Sequence, residues 1–178
     1  PYYYTRHDPC YEYQVNDGCI KLYFPFRNKH TANRFITNNK CPLENLETLI
    51  DTNYKLIVKS QKDKLLMLRI LRELRINDVG VYVIASETAK LPDDIVDVLR
   101  KTTRIQVYVM LDTDNTGLTS AIEYEKNYGF IALFMTKGYS AKDPTDLVRI
   151  TDYNFVKKKF ANMYLNEIVN GKKGGVVP

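Results

Sequence analysis

Beyond residue 52 the chain alternates short apolar runs with longer amphipathic stretches. Lys55-Leu56-Ile57-Val58, Val81-Tyr82-Val83-Ile84, Ile105 to Leu111 and Phe130 to Met135 have the length of buried strands. Between the first two, Leu65, Leu66, Leu68, Ile70, Leu71 and Leu74 recur at helical spacing and predict one broad apolar face. Pro92 opens a second helix carrying Ile95, Val98 and Leu99, and residues 118–127 form a third. A last helix, about 153–169, turns Val156, Phe160, Met163 and Tyr164 inward. This alternation predicts an α/β fold, a mainly parallel sheet with flanking helices, whose ligands sit beyond the carboxyl ends of the strands.

The first 50 residues have a different texture. Tyr11-Glu12-Tyr13-Gln14-Val15 alternates, Asn16-Asp17-Gly18 turns, and Ile20-Lys21-Leu22-Tyr23-Phe24 alternates again, as a β-hairpin does. Arg34-Phe35-Ile36-Thr37 adds a third strand after a basic loop containing Arg27, Lys29 and His30. Phe26 and Phe35 are assigned to the core. The expected division is therefore a β-rich basic part over 1–52, an α/β part over 53–150, and a carboxyl-terminal helix with a mobile Gly/Lys tail over 151–178. Lys157-Lys158-Lys159 reads as the wet face of that helix.

Composition narrows the function classes. The chain has 178 residues, 44% of them hydrophobic and 26% charged, which suits one domain with a small appendage and excludes global disorder. No apolar run reaches the roughly 18 residues of a membrane span, so no membrane partner is expected. The start, Pro1-Tyr2-Tyr3-Tyr4, has no signal-peptide pattern and no initiator methionine, and the chain reads as a cut from a longer polypeptide. A net charge of +5 points weakly to a polyanionic partner. Cys10, Cys19 and Cys41 contain no CxxC pair, so no zinc ribbon lies within this segment. Their odd number predicts reduced thiols, with Cys10 and Cys19 packed as small apolar strand residues.

The sharpest chemical signal is Asp112-Thr113-Asp114-Asn115-Thr116-Gly117, delivered by an apolar strand. Alternate residues of an extended segment share a side, so Asp112 and Asp114 can face one crevice and offer hard oxygen ligands to Mg²⁺ or Mn²⁺. Four readings remain open. An EF-hand would need a helix rather than a strand before the loop. A haloacid-dehalogenase-type phosphatase, with Asp112 as nucleophile, would place the motif on its first strand and need more chain after it. A third reading is an acidic turn that only caps the helix at 118. The fourth is a phosphate-handling site completed by two other strand-end segments, Lys59-Ser60-Gln61-Lys62-Asp63 and Lys142-Asp143-Pro144-Thr145-Asp146. Each of those segments also fits a plain helix cap, Ser60 with Asp63 and Asp143 with Pro144.

In this order the three segments resemble the toprim domain, a Rossmann-like fold of primases, topoisomerases and related nucleases. Gly18-Cys19-Ile20-Lys21-Leu22-Tyr23-Phe24-Pro25-Phe26-Arg27 looks like the basic β-rich subdomain that precedes toprim in DnaG-type and phage primases. The similarity covers about residues 9–150. It implies a primase catalytic core, a nucleotidyltransferase that makes RNA primers on a single-stranded DNA template from ribonucleoside triphosphates with Mg²⁺ or Mn²⁺. Asp112, Asp114 and Asp143 match the metal-binding residues, Asp63 matches the acidic residue of the first motif, and Lys142 would contact phosphate. Lys59 departs from the usual Glu: either its ammonium would serve as a fixed cation on phosphate, or Glu87 would supply the missing carboxylate, with a solvent-facing loop residue as the other reading of Glu87. Arg27, Lys29, His30, Arg34 and Lys40, beside Tyr23, Phe26 and Phe35, would hold the template. A replicative helicase and a zinc-binding domain outside this segment are implied partners, and the cytoplasm, a phage host's included, is the implied location. A toprim nuclease or topoisomerase-like enzyme and a non-catalytic nucleic-acid-binding toprim module are the alternatives.

Overall fold

Strands β1 (Tyr11–Asn16), β2 (Cys19–Tyr23) and β3 (Phe35–Thr37) form an antiparallel sheet in that order. The pairing is in register across all three, with Tyr11 opposite Tyr23 opposite Phe35, and Tyr13 opposite Lys21 opposite Thr37. Side chains alternate across a strand, so these six residues share one face of the small sheet. The computed structural model describes residues 8–16, 19–28, 33–37, 43–44, 49–86, 88 and 90–169. The Asp17-Gly18 turn, Lys29, His30, Lys40, Cys41, Glu87 and the 170–178 tail lie outside the described residues.

A second sheet carries the core. It is built from β4 (Leu43–Glu44), β5 (Thr52–Val58), β6 (Val79–Ile84), β7 (Thr103–Met110) and β8 (Ile131–Ala132), in the order β4-β6-β5-β7-β8. The four strands β6, β5, β7 and β8 run parallel, and β4 pairs antiparallel with β6 at the edge. Helices cover both faces: α1 (Gln61–Glu73), α4 (Pro144–Ile150) and α5 (Tyr153–Met163) on one, α2 (Asp93–Lys101) and α3 (Asn115–Tyr128) on the other. The period of two divides the strands between two cores. Tyr54, Leu56 and Val58 pack toward Met67, Ile70, Leu147 and Phe160. Ile57, Val107 and Val109 pack toward Val96, Leu99 and Ala121. Because both faces are covered, the central strands read as continuous apolar runs.

Several sequence expectations are corrected. The buried face of α1 is Asp63, Met67, Ile70 and Leu71, with Leu65 and Leu68 exposed: the face toward the sheet and α4 includes the first-turn aspartate, which Thr145 meets there. On α2 it is Val96 and Leu99 that are buried, with Val98 and likewise Ile105 of β7 exposed. The fourth parallel strand is only two residues long, since the chain turns over Met135–Gly138 and brings Thr136 against Thr113. The last helix changes after Met163 to a π-helical turn over Tyr164–Val169. Phe26 and Phe35 are 79% and 54% exposed: the buried aromatic there is Phe24, with Arg27 stacked on its ring, and Phe35 lies on an edge strand. Cys19 is disulfide-bonded rather than reduced, whereas Cys10 is a free thiol.

Candidate active site at the carboxyl edge of the sheet

The strand order makes the site. From β5 the chain crosses to β6 on one side, then to β7 on the other, so β5 and β7 are neighbours that leave the sheet together. Such a switch point opens a crevice at the carboxyl ends. Val58 pairs with Met110, and the residues just beyond them meet: Lys59 Nζ donates to Asp112 Oδ2. Lys142 Nζ approaches the same oxygen at 3.6 Å. Asp112 is only 1% exposed, and its Oδ1 is buried with no hydrogen-bond partner among the described residues. A carboxylate withdrawn from water needs compensating charge and donors. Two lysines supply them at Asp112 Oδ2, while Oδ1 stays buried without a partner among the described residues.

Backbone packing fixes this aspartate. A Cβ on Gly117 would stand 2.1 Å from the Asp112 carbonyl oxygen, so only glycine admits the start of α3 so close. Asp114 caps the same helix, its Oδ1 accepting from Gly117 N at 3.0 Å, while the residue stays exposed. Thr113 N donates to Lys142 O at 2.8 Å, and the Thr113 and Thr136 hydroxyls bond at 2.9 Å, tying the Lys142 loop to the acidic loop.

The first and third motifs interlock in the same way. Ser60 caps α1 and shares a hydrogen bond with Asp63 Oδ2, while Asp63 Oδ1 accepts from the Thr145 hydroxyl at 2.7 Å and the Thr145 N at 3.3 Å. Asp143 caps α4 through Asp146 N at 2.7 Å and accepts from Lys62 Nζ at 2.6 Å. Burial pushes the Asp63 carboxyl up from its ordinary range, against the Ser60 and Thr145 hydrogen bonds and with the help of the Asp143 charge. Burial draws the Lys62 ammonium down, but the Asp143 hydrogen bond and the charges of Asp143, Asp63 and Asp146 together outweigh it, and the net shift is upward.

The structure therefore brings Lys59, Lys142 and Asp112 together, and Lys62, Asp63 and Asp143 together. Among the described residues, no group of three or more His, Cys, Asp or Glu side chains gathers as a metal cage. Asp112 Oδ1, buried and without a hydrogen-bond partner among the described residues, and the exposed Asp114 carboxylate are hard-oxygen donors of the kind that Mg²⁺ or Mn²⁺ takes. Asp143 is already taken by Lys62 and its helix cap. Thr113, Thr136 and Thr145 were given no role from the sequence, and only Thr145, two residues after Asp143 and one before Asp146 at a helix start, stood where a signal could have marked it.

A cleft of about 720 Å³ runs between this edge and the small sheet. Its walls are Tyr13, Lys21, Tyr23, Phe35 and Thr37 on one side, and Lys59 to Lys62, Ala85, Ser86, Thr88 and Thr116 on the other. Neither described basic residue of the expected template loop lines it. Arg27 is held by Asp8 at 2.6 and 2.8 Å and by Asn33 O, and Arg34 donates to Arg27 O at 2.6 Å. No family model and no curated protein matches the chain. Among solved structures, a chain in the complex of bacteriophage T7 lagging-strand DNA polymerase with primase domains of two gp4 subunits, bound to an RNA/DNA hybrid and dTTP, superposes on it. The match covers 86% of this chain and 74% of that chain, with a TM-score of 0.56 and 13% sequence identity. The fold is primase-like. At this identity the match is a likeness of architecture.

Proposed function

We propose that this chain is the toprim-type catalytic core of a DNA primase, joining ribonucleotides on a single-stranded DNA template. The observation that carries the reading is the meeting of Lys59 and Asp112 at the switch point, with Asp112 Oδ1 buried there without a partner among the described residues and Lys59 lining the adjoining cleft. The neighbour's RNA/DNA hybrid and nucleotide support the same reading. In the reaction, a 3′-hydroxyl oxygen attacks the α-phosphorus of the incoming nucleotide, the bond to the bridging oxygen breaks, pyrophosphate leaves, and the hydroxyl proton passes to solvent. Lys59, held in place by Asp112, and Lys142 offset charge on the phosphates. Asp63 positions these groups by joining α1 to the start of α4 through Thr145. Asp112 and Asp114 would hold the divalent cation, and Asp143 would join them only on releasing Lys62. When bound, Mg²⁺ or Mn²⁺ supplies Lewis-acid polarisation of the phosphoryl oxygens. Residues 1–52 would form the template-facing part and 53–150 the catalytic part, with a zinc-binding domain and a helicase partner outside the segment.

One observation favours a second reading, a nucleic-acid-binding module without catalysis: lysines already neutralise both Asp112 and Asp143. Incubation with single-stranded DNA, ribonucleotides and Mg²⁺ or Mn²⁺, with and without a pre-annealed primer, separates the two. The primase reading expects labelled RNA product and a loss of at least about 100-fold in Asp112→Asn. Equal, negligible product from wild type and variant, with DNA binding intact, leaves the binding module.

A further inference from the structure

One face of the small sheet is a row of rings. Tyr11 and Tyr23 stack at 6.4 Å and 24°, and Tyr23 and Phe35 stack at 4.7 Å and 16°. The outer members are 61% and 54% exposed. Lys21 Nζ lies 5.1 Å from the Phe35 ring centroid. An exposed aromatic row is costly in water unless something else covers it. Tyr23 and Phe35 line the cleft, and its lining residues include Lys21, Lys59 and Lys62 but no Asp or Glu. Lys59 and Lys62 are already paired with Asp112 and Asp143, so what this wall adds is a set of flat apolar faces beside the Lys21 ammonium, which suits a ligand that combines π-faces with negative charge. A single-stranded nucleic acid does so, because its unpaired bases offer their faces while its phosphates carry the charge.

We infer that the Tyr11–Tyr23–Phe35 row is a stacking platform for the unpaired bases of a nucleic-acid strand in the cleft, with Lys21 beside it as a phosphate contact. The assignment rests on the nucleic-acid reading of this site, but it does not need catalysis. It moves template recognition from the expected basic loop to the face of the sheet. It also requires the protein to distinguish strands that carry bases from strands that carry only phosphates.

The test compares a labelled oligo-dT with an abasic oligonucleotide of equal length by fluorescence anisotropy, across a salt series. Wild type should bind oligo-dT about 5- to 100-fold more tightly, the range that base–aromatic stacking spans. Phe35→Leu should lose most of that preference, leaving abasic binding and the salt slope unchanged because the phosphate contacts remain. Equal affinity of wild type for the two strands, or a full preference retained in Phe35→Leu, overturns the inference. Should Phe35→Leu fail to fold by circular dichroism, Phe35→Trp keeps the question open to measurement. The chain has no other tryptophan, so its emission should be quenched by oligo-dT and not by the abasic strand, and equal emission with both overturns the inference. A base preference without ribonucleotide incorporation removes the primase reading alone. Incorporation without a base preference removes the stacking platform alone.

Discussion

Replacing Gly117 with Ala sets two effects of opposite sign against each other. Gly117 lies in the first turn of α3, and on helix propensity alone the change would stabilise the protein by up to about 1 kcal/mol. The added Cβ, however, would meet three backbone atoms of Asp112, O at 2.1 Å, C at 2.8 Å and N at 3.0 Å, where ordinary contact begins near 3.4 Å. Backbone cannot swing aside as a flexible side chain can. Overpacking of this kind costs about 1–3 kcal/mol and sometimes more, so the steric effect wins. A net loss of about 2 kcal/mol would lower Tm by roughly 4–8 °C in a chain of this size. Urea and thermal melts of wild type and Gly117→Ala measure it. Gly129→Ala is the control: that glycine closes α3 with φ +67° and has nothing within 4 Å of its would-be Cβ, so it should lose only the left-handed strain of about 1–2 kcal/mol. If Gly117→Ala is as stable as wild type or more so, α3 does not press on Asp112 as described, and the account of how the acidic loop is held fails.

Two further outcomes follow from buried ionisable groups. Lys55 is 0% exposed, its Nζ donates to the carbonyls of Ile50 and Thr102, and burial lowers its pKa from 10.5 to about 8 despite the Asp51 charge. The unfolded chain therefore holds more protons between about pH 8 and 10.5, and stability should rise with pH across that window. The full conversion is about 3 kcal/mol, and solvent screening at this rim of the sheet reduces it to about 1–2 kcal/mol. Subtracting a Lys55→Met melt series from wild type should reveal the rise, and parallel profiles would refute it. Thr145→Val removes the hydroxyl that donates to buried Asp63 and should cost about 1–3 kcal/mol at neutral pH. Because the Asp63 carboxyl is held above its unfolded value, stability falls as pH climbs through its folded value, and the variant should steepen that fall. Urea midpoints from about pH 4 to 7 would show a widening gap, and a constant gap would count against the Asp63–Thr145 link.

Much of the architecture was legible in the residues because local pattern carries it. Apolar runs marked β5, β6 and β7, and Pro92, Ser60 and Asp143 marked helix starts that the structure bears out. The Asp112 to Gly117 loop was legible as a strand end because an apolar run delivers it. Element lengths were less so: β8 covers only two residues, and the chain beyond it turns so that Thr136 meets Thr113, a contact between residues 23 positions apart. Phe26 and Phe35 misled for a related reason, since hydrophobicity does not say whether a residue falls in a turn, as Phe26 does, or on an edge strand, as Phe35 does.

The sequence by itself determined the alternation of strands and helices, the positions of the caps, and which side chains can carry charge. Only the tertiary structure decided how that charge is paired. Lys59 and Asp112 meet across 53 positions of sequence because the crossover from β6 to β7 returns the chain beside β5. Lys55, polar in the sequence, is buried because its stem lies in the central strand and two carbonyls at the sheet's amino end receive its ammonium. Hydrophobic periodicity is local and can be read along the chain. The environment of a charge depends on which distant segment covers it, and that is set by strand order.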